Sequence, residues 1–160
     1  MRKSCLGFWG HYRLNDEDIE MLVLTDDDKE GQKYRDTIKK IGGVYGSQNV
    51  FTIRDLVPTI ILNGTIEDCL GVQYVESKFK SLYKAVFNAN SSLILNDTTP
   101  FLEQIKVQLN IEQVDKKSLD DFLDKLKISL SNNLVLKKTY HTNFPLLHEL
   151  AKKVQEYMQK

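Results

Sequence analysis

The spacing of apolar positions along the chain changes character as it proceeds. Ile19-Glu20-Met21-Leu22-Val23-Leu24-Thr25 is a short, nearly continuous apolar run that ends in three aspartates. Such a run predicts a buried strand, covered on both faces and paired in parallel. The stretch after it has the period of a helix: Tyr34, Ile38 and Ile41 share a face, Lys39 and Lys40 fall in the last turn, and Gly42-Gly43 stops it. Asn49-Val50-Phe51-Thr52-Ile53 reads as a second strand. Leu56-Val57-Pro58-Thr59-Ile60-Ile61-Leu62 reads as a third extended segment, in which Pro58 points to a sheet edge or a loop because it has no N–H to give a ladder. Strand, helix and strand in that order predict an α/β unit.

Beyond residue 70 the period is helical. Val72, Val75, Phe79, Leu82, Tyr83 and Val86 follow the three-four spacing of one face, with Glu76 and Lys80 placed as an i,i+4 pair. Asn88-Ala89-Asn90-Ser91-Ser92 interrupts the pattern. Thr99-Pro100 predicts a new start, a cap followed by proline, and Ser118 with Asp121 predicts another through a capping-box variant. Leu119, Phe122, Leu123, Leu126 and Leu130 form the stripe of that helix. Pro145 opens a last helix with Leu146, Leu147, Leu150, Ala151, Val154, Tyr157 and Met158 as its stripe. No repeat or low-complexity linker intervenes, so the expected organisation is an α/β part over residues 1–90 and a helical region over 91–160, packed together as one domain.

Composition narrows the class without naming a function. A chain of 160 residues with 41% hydrophobic residues buries roughly 70% of the surface its unfolded form exposes, and needs no disulfide framework. Cys5 and Cys69 are far apart and lack metal spacing, which argues against a zinc ribbon or a secreted scaffold and points to a reducing cytoplasm. The basic start loses its apolar character at His11 and Arg13, too soon for a signal segment, and no run approaches the ~20 apolar residues of a membrane span.

Charge sharpens the picture locally. Lys and Arg balance Asp and Glu at 22 each, yet residues 1–70 hold 9 basic and 12 acidic side chains while residues 71–160 hold 13 and 10. The acidic excess is clumped at Asp16-Glu17-Asp18, Glu20, Asp26-Asp27-Asp28 and Glu30. Asp26-Asp27-Asp28 stands where a predicted buried strand opens into a loop, the place where parallel α/β sheets present functional groups. If the extended backbone continued through it, Asp26 and Asp28 would point the same way, two rises of ~3.3 Å apart, with Asp27 turned away. Two carboxylates converging to 4 Å repel by on the order of 4 kcal/mol at an effective dielectric of 20, which raises one pKa or recruits a cation. With no thiolate or histidine cluster competing, the cation of choice is a hard, oxygen-seeking ion such as Mg²⁺ or Mn²⁺. Solvated aspartates that end a strand or cap the next helix fit the same tripeptide.

The string Leu22-Val23-Leu24-Thr25-Asp26-Asp27-Asp28-Lys29-Glu30-Gly31, followed by an amphipathic helix, resembles the strand-to-helix Asp-x-Asp-x-x-Gly motif of Toprim domains, found in topoisomerases, primases and the OLD (overcoming lysogenization defect) family of ATP-dependent nucleases. Further on, Thr65-Ile66-Glu67-Asp68-Cys69-Leu70 looks like the segment that follows this motif in OLD-type domains. The resemblance implies a partial Toprim-like, Rossmann-like parallel sheet followed by a helical region. It also implies a DNA nuclease that hydrolyses phosphodiesters by a two-metal mechanism. By match, Asp26 and Asp28 would be catalytic metal ligands, and Glu67 or Asp68 would complete the shell of a second ion. Gly31 would let the helix start approach the sheet, where its amides favour a phosphate. OLD-type nucleases also use a lysine late in the domain, and Lys137 and Lys138 stand nearest to that place.

Other roles compete for the same residues. Thr65-Ile66-Glu67-Asp68 is also a capping box, Gly31 also a turn residue, and the late leucine stripe also a core or oligomer contact. A full Toprim domain begins with a strand carrying a catalytic Glu followed by Gly, then a helix and a strand, before the Asp-x-Asp strand. Only 18 residues precede Ile19, and neither Glu17 nor Glu20 is followed by glycine. The resemblance therefore implies that the acid/base Glu comes from elsewhere, from a partner such as an ATPase chain or from a segment of a longer protein. The competing expectation is a Toprim-derived interaction domain that partners an ATPase or nuclease chain without catalysing anything itself.

Overall fold

The computed structural model of the chain describes residues 22–41, 49–132 and 140–159. The chain is mixed α/β, mostly helical with a small parallel sheet. It divides into two compact units, Met1–Thr65 with Glu149–Lys160, and Ile66–His148. The composition points to a boundary near residue 90, whereas the contacts divide the chain at residues 65 and 148. Among the described residues no helix is long and apolar enough to cross a membrane.

In the first unit, β1 (Val23–Thr25) pairs in parallel with β2 (Val50–Thr52), Val23 opposite Val50 and Thr25 opposite Thr52. The crossover between them contains α1 (Lys29–Ile41), with Glu30 in its first turn and Lys39 and Lys40 in its last, charges that complement the helix dipole. Strand residues predicted at 19–21 lie outside the described residues. The predicted apolar face of α1 is only partly covered: Ile38 is half-buried, while Tyr34 and Ile41 are exposed, and Gly31 is the buried residue of the helix. This helix therefore makes its close approach through its first turn.

β2 ends at Thr52, whose Oγ1 accepts from Asp55 N at 3.3 Å while Asp55 Oδ2 accepts from Thr52 N at 2.7 Å. This reciprocal box starts the short α2 (Ile53–Leu56). Leu56 thus ends a helical turn, and of the two alternatives that Pro58 leaves open for 56–62, a sheet edge or a loop, the chain takes the loop. After α2 the backbone turns, Ile60 N donating to Val57 O and Gly64 N to Ile61 O. Val50, Ile53, Val57 and Ile60 are buried in this unit. α7 (Pro145–Met158) starts at the proline, as its sequence predicts, and of its stripe only Leu150 is fully buried. Its Tyr157 ring meets Phe51 edge-on at 5.0 Å, and the Tyr157 hydroxyl donates to Asn49 Oδ1 at 3.1 Å.

The second unit is helical. It comprises a 3-10 turn at Ile66–Leu70, α3 (Val72–Phe87), α4 (Phe101–Ile111), α5 (Lys116–Ser131), the short α6 (Tyr140–Asn143) and the beginning of α7. Val75, Phe79 and Tyr83 of α3 join Ile105 and Leu109 of α4 and the whole predicted stripe of α5, Leu119, Phe122, Leu123, Leu126 and Leu130, in one buried cluster. Phe79 and Phe87 both face Phe122, at ring separations of 5.9 and 5.6 Å. Val86, predicted on the same face of α3, is exposed. The Glu76–Lys80 pair forms at 2.6 Å, and the other Glu76 oxygen accepts from Leu95 N at 2.8 Å, pinning the loop after α3 so that Leu95 is buried.

Two helix starts differ from their prediction. α5 begins at Lys116 with Asp115 as cap, accepting from Lys117 N and Ser118 N, so Ser118 lies inside the first turn. α4 begins at Phe101, and Pro100 at its cap position offers no side-chain acceptor. The donor of Phe101 is met instead by Asp68 Oδ1, 33 positions back, at 2.8 Å.

Candidate functional site

The extended backbone ends at Thr25, and Asp27 and Asp28 lie in a bend before α1. Strand alternation therefore does not carry into the aspartate triplet, and each of the three carboxylates has its own setting. Asp27 is the buried one. Its Oδ1 accepts from Thr52 Oγ1 at 3.0 Å and its Oδ2 from Asn63 N at 3.2 Å. Its backbone is tied as well, Asp27 N donating to Gly64 O at 2.9 Å and Asp27 O accepting from Gln32 Nε2 at 2.6 Å. A charged acceptor out of water is tolerated because it is satisfied on both oxygens. Asp27 thus clamps the β1 end to the β2 end and to the 63–64 turn.

Asp28 is half-buried and caps α1: its Oδ1 accepts from Gly31 N at 2.7 Å, and its carbonyl accepts from Gln32 N at 2.9 Å. Among the described residues nothing hydrogen-bonds its Oδ2. Asp26 is half-buried in the same loop. Gly31 lies directly on it. A Cβ at Gly31 would fall 2.0 Å from the Asp26 carbonyl oxygen and 2.7 Å from its carbon, so only glycine lets the helix start come this close to the strand end. Asp26, Asp28 and Gly31 are thus brought together in one strand–loop–helix corner.

Glu67 and Asp68 belong to the second unit. Both are buried within the 3-10 turn. Asp68 caps α4 as described. Glu67 has an exposed fraction of 4%, its Oε1 lies 3.7 Å from Lys127 Nζ, and among the described residues its Oε2 has no hydrogen-bond partner. A buried carboxylate so weakly paired is costly to the fold. No sequence pattern singles out Lys127. It lies on α5 between the buried Leu126 and the exposed Ile128, and only the packing of that helix brings it to Glu67.

Lys137 and Lys138 lie outside the described residues. Among those described, no group of three or more His, Cys, Asp and Glu side chains is arranged to hold a metal ion. At the corner, Asp28 puts one carboxylate beside the helix start, with Asp26 two positions before it in the loop. Mg²⁺ keeps several waters and is held through as few as one or two carboxylates plus the phosphates of a substrate. No family model, curated protein or solved structure gives a significant match to this chain.

Proposed function

We propose that the chain is a Toprim-like part of a divalent-metal-dependent DNA nuclease of the cytoplasm, acting with a partner chain, such as an ATPase, that supplies the general acid/base glutamate. The observation that carries this reading is the corner in which Gly31 packs on the Asp26 carbonyl at the end of a parallel strand. It brings Asp26 and Asp28 to the N-terminal end of α1, where the helix dipole favours an anion such as a phosphate. On this reading Asp26 and Asp28 hold Mg²⁺ or Mn²⁺, which supplies a lowered water pKa and charge neutralisation at the scissile phosphate. The chain's own contribution is positional: Asp27 fixes the loop, Asp28 caps α1 through Oδ1 alone among the described residues, and Gly31 closes the corner.

The test is a melting series with Mg²⁺ and Mn²⁺ on the wild type and on the double variant Asp26→Asn with Asp28→Asn. Asparagine caps a helix as well as aspartate does, so the variant keeps its fold while losing ligand charge. The expected result is a wild-type stabilisation that grows with metal, about 2.7 kcal/mol at a hundred times Kd, and is absent in the double variant. Equal melting of both proteins at every metal concentration overturns the reading.

A second reading is favoured by one specific observation, that Asp28 Oδ1 already serves α1 as its cap. In it the chain is a non-catalytic interaction domain that has kept the corner for structure. Plasmid nicking by the chain with Mn²⁺, lost in the double variant, excludes it.

A further inference from the structure

We draw no further inference here: the strongest candidate, the buried Glu67 carboxylate in the 3-10 turn, its Oε1 near Lys127 and its Oε2 unpartnered among the described residues, belongs to the residue set already read as a cation site, and nothing else among those residues points to a ligand at it.

Discussion

Replacing Asp27 by Ala removes the acceptor of Thr52 Oγ1 and of Asn63 N at once, and leaves the fully buried Thr52 hydroxyl without the acceptor it donates to. We expect a loss of about 2–4 kcal/mol in urea denaturation, against about 1 kcal/mol or less for Asp28→Asn, whose cap survives. Equal losses would mean that the two aspartates share one role. Gly31→Ala tests the same corner from the helix side. Alanine gains about 1 kcal/mol of helix propensity, but its methyl meets the Asp26 carbonyl at 2.0 Å, so a net loss of about 1–3 kcal/mol is expected. A more stable variant would show that the corner relaxes freely. The sequence makes Asp26, Asp28 and Gly31 visible as a motif and hides Asp27, because alternation assumes a strand that the backbone has already left. Its partners Thr52 and Asn63 are 25 and 36 positions away, beyond the reach of any local pattern.

Helices are the elements that a reading of periodicity recovers best, since a stripe such as Leu119 to Leu130 follows from burial on one face alone. Their starts are recovered less well. A cap needs an acceptor in space, and for α4 that acceptor is Asp68 rather than the adjacent Thr99. The segment after β2 takes the loop alternative for a related reason: the Thr52–Asp55 box satisfies the free amides of a helical turn over Ile53–Leu56, and around Pro58 the backbone turns instead of pairing. One side chain joining a helix to the loop after it also gives an acid-sensitive contribution to stability. The Lys80 ammonium, then the Leu95 amide, hold the Glu76 carboxyl below its ordinary 4.5. A depressed pKa means stability that is present above the ordinary value and is lost as pH falls through the folded one. Urea midpoints between pH 7 and pH 3 should therefore drop less steeply for Glu76→Gln than for the wild type. Parallel curves would show that the pairing contributes nothing. Asp115, lowered first by the Ser118 hydroxyl, adds to the acid limb in both proteins.

For the molecule as a whole, apolar period identifies what each element is but not which elements share a core, and so the shift in character near residue 90 does not coincide with the division between units. α3 lies before that shift in sequence, yet its Phe79 is buried with Phe122 of α5. The first unit likewise takes in residues from the far end of the chain, through Leu150 and the contact of Tyr157 with Phe51. Tyr157→Ala removes a ring contact and a hydroxyl bond and should cost about 1–3 kcal/mol. Hydrogen exchange should show that loss at the β2 amides more than at those of α3 and α5, whereas a uniform loss would deny the units separate stability. The discontinuity of the first unit also sets an order of events during translation. Its strands emerge from the ribosome early, but the residues that complete it, from Glu149 onward, are made only after the whole helical unit. At roughly 5–20 residues per second the nascent sheet waits on the order of ten seconds for Tyr157. Over that interval β1 and β2 are open to chaperones and to neighbouring nascent chains, whereas the helical unit is one continuous run and has all its residues as soon as His148 is made.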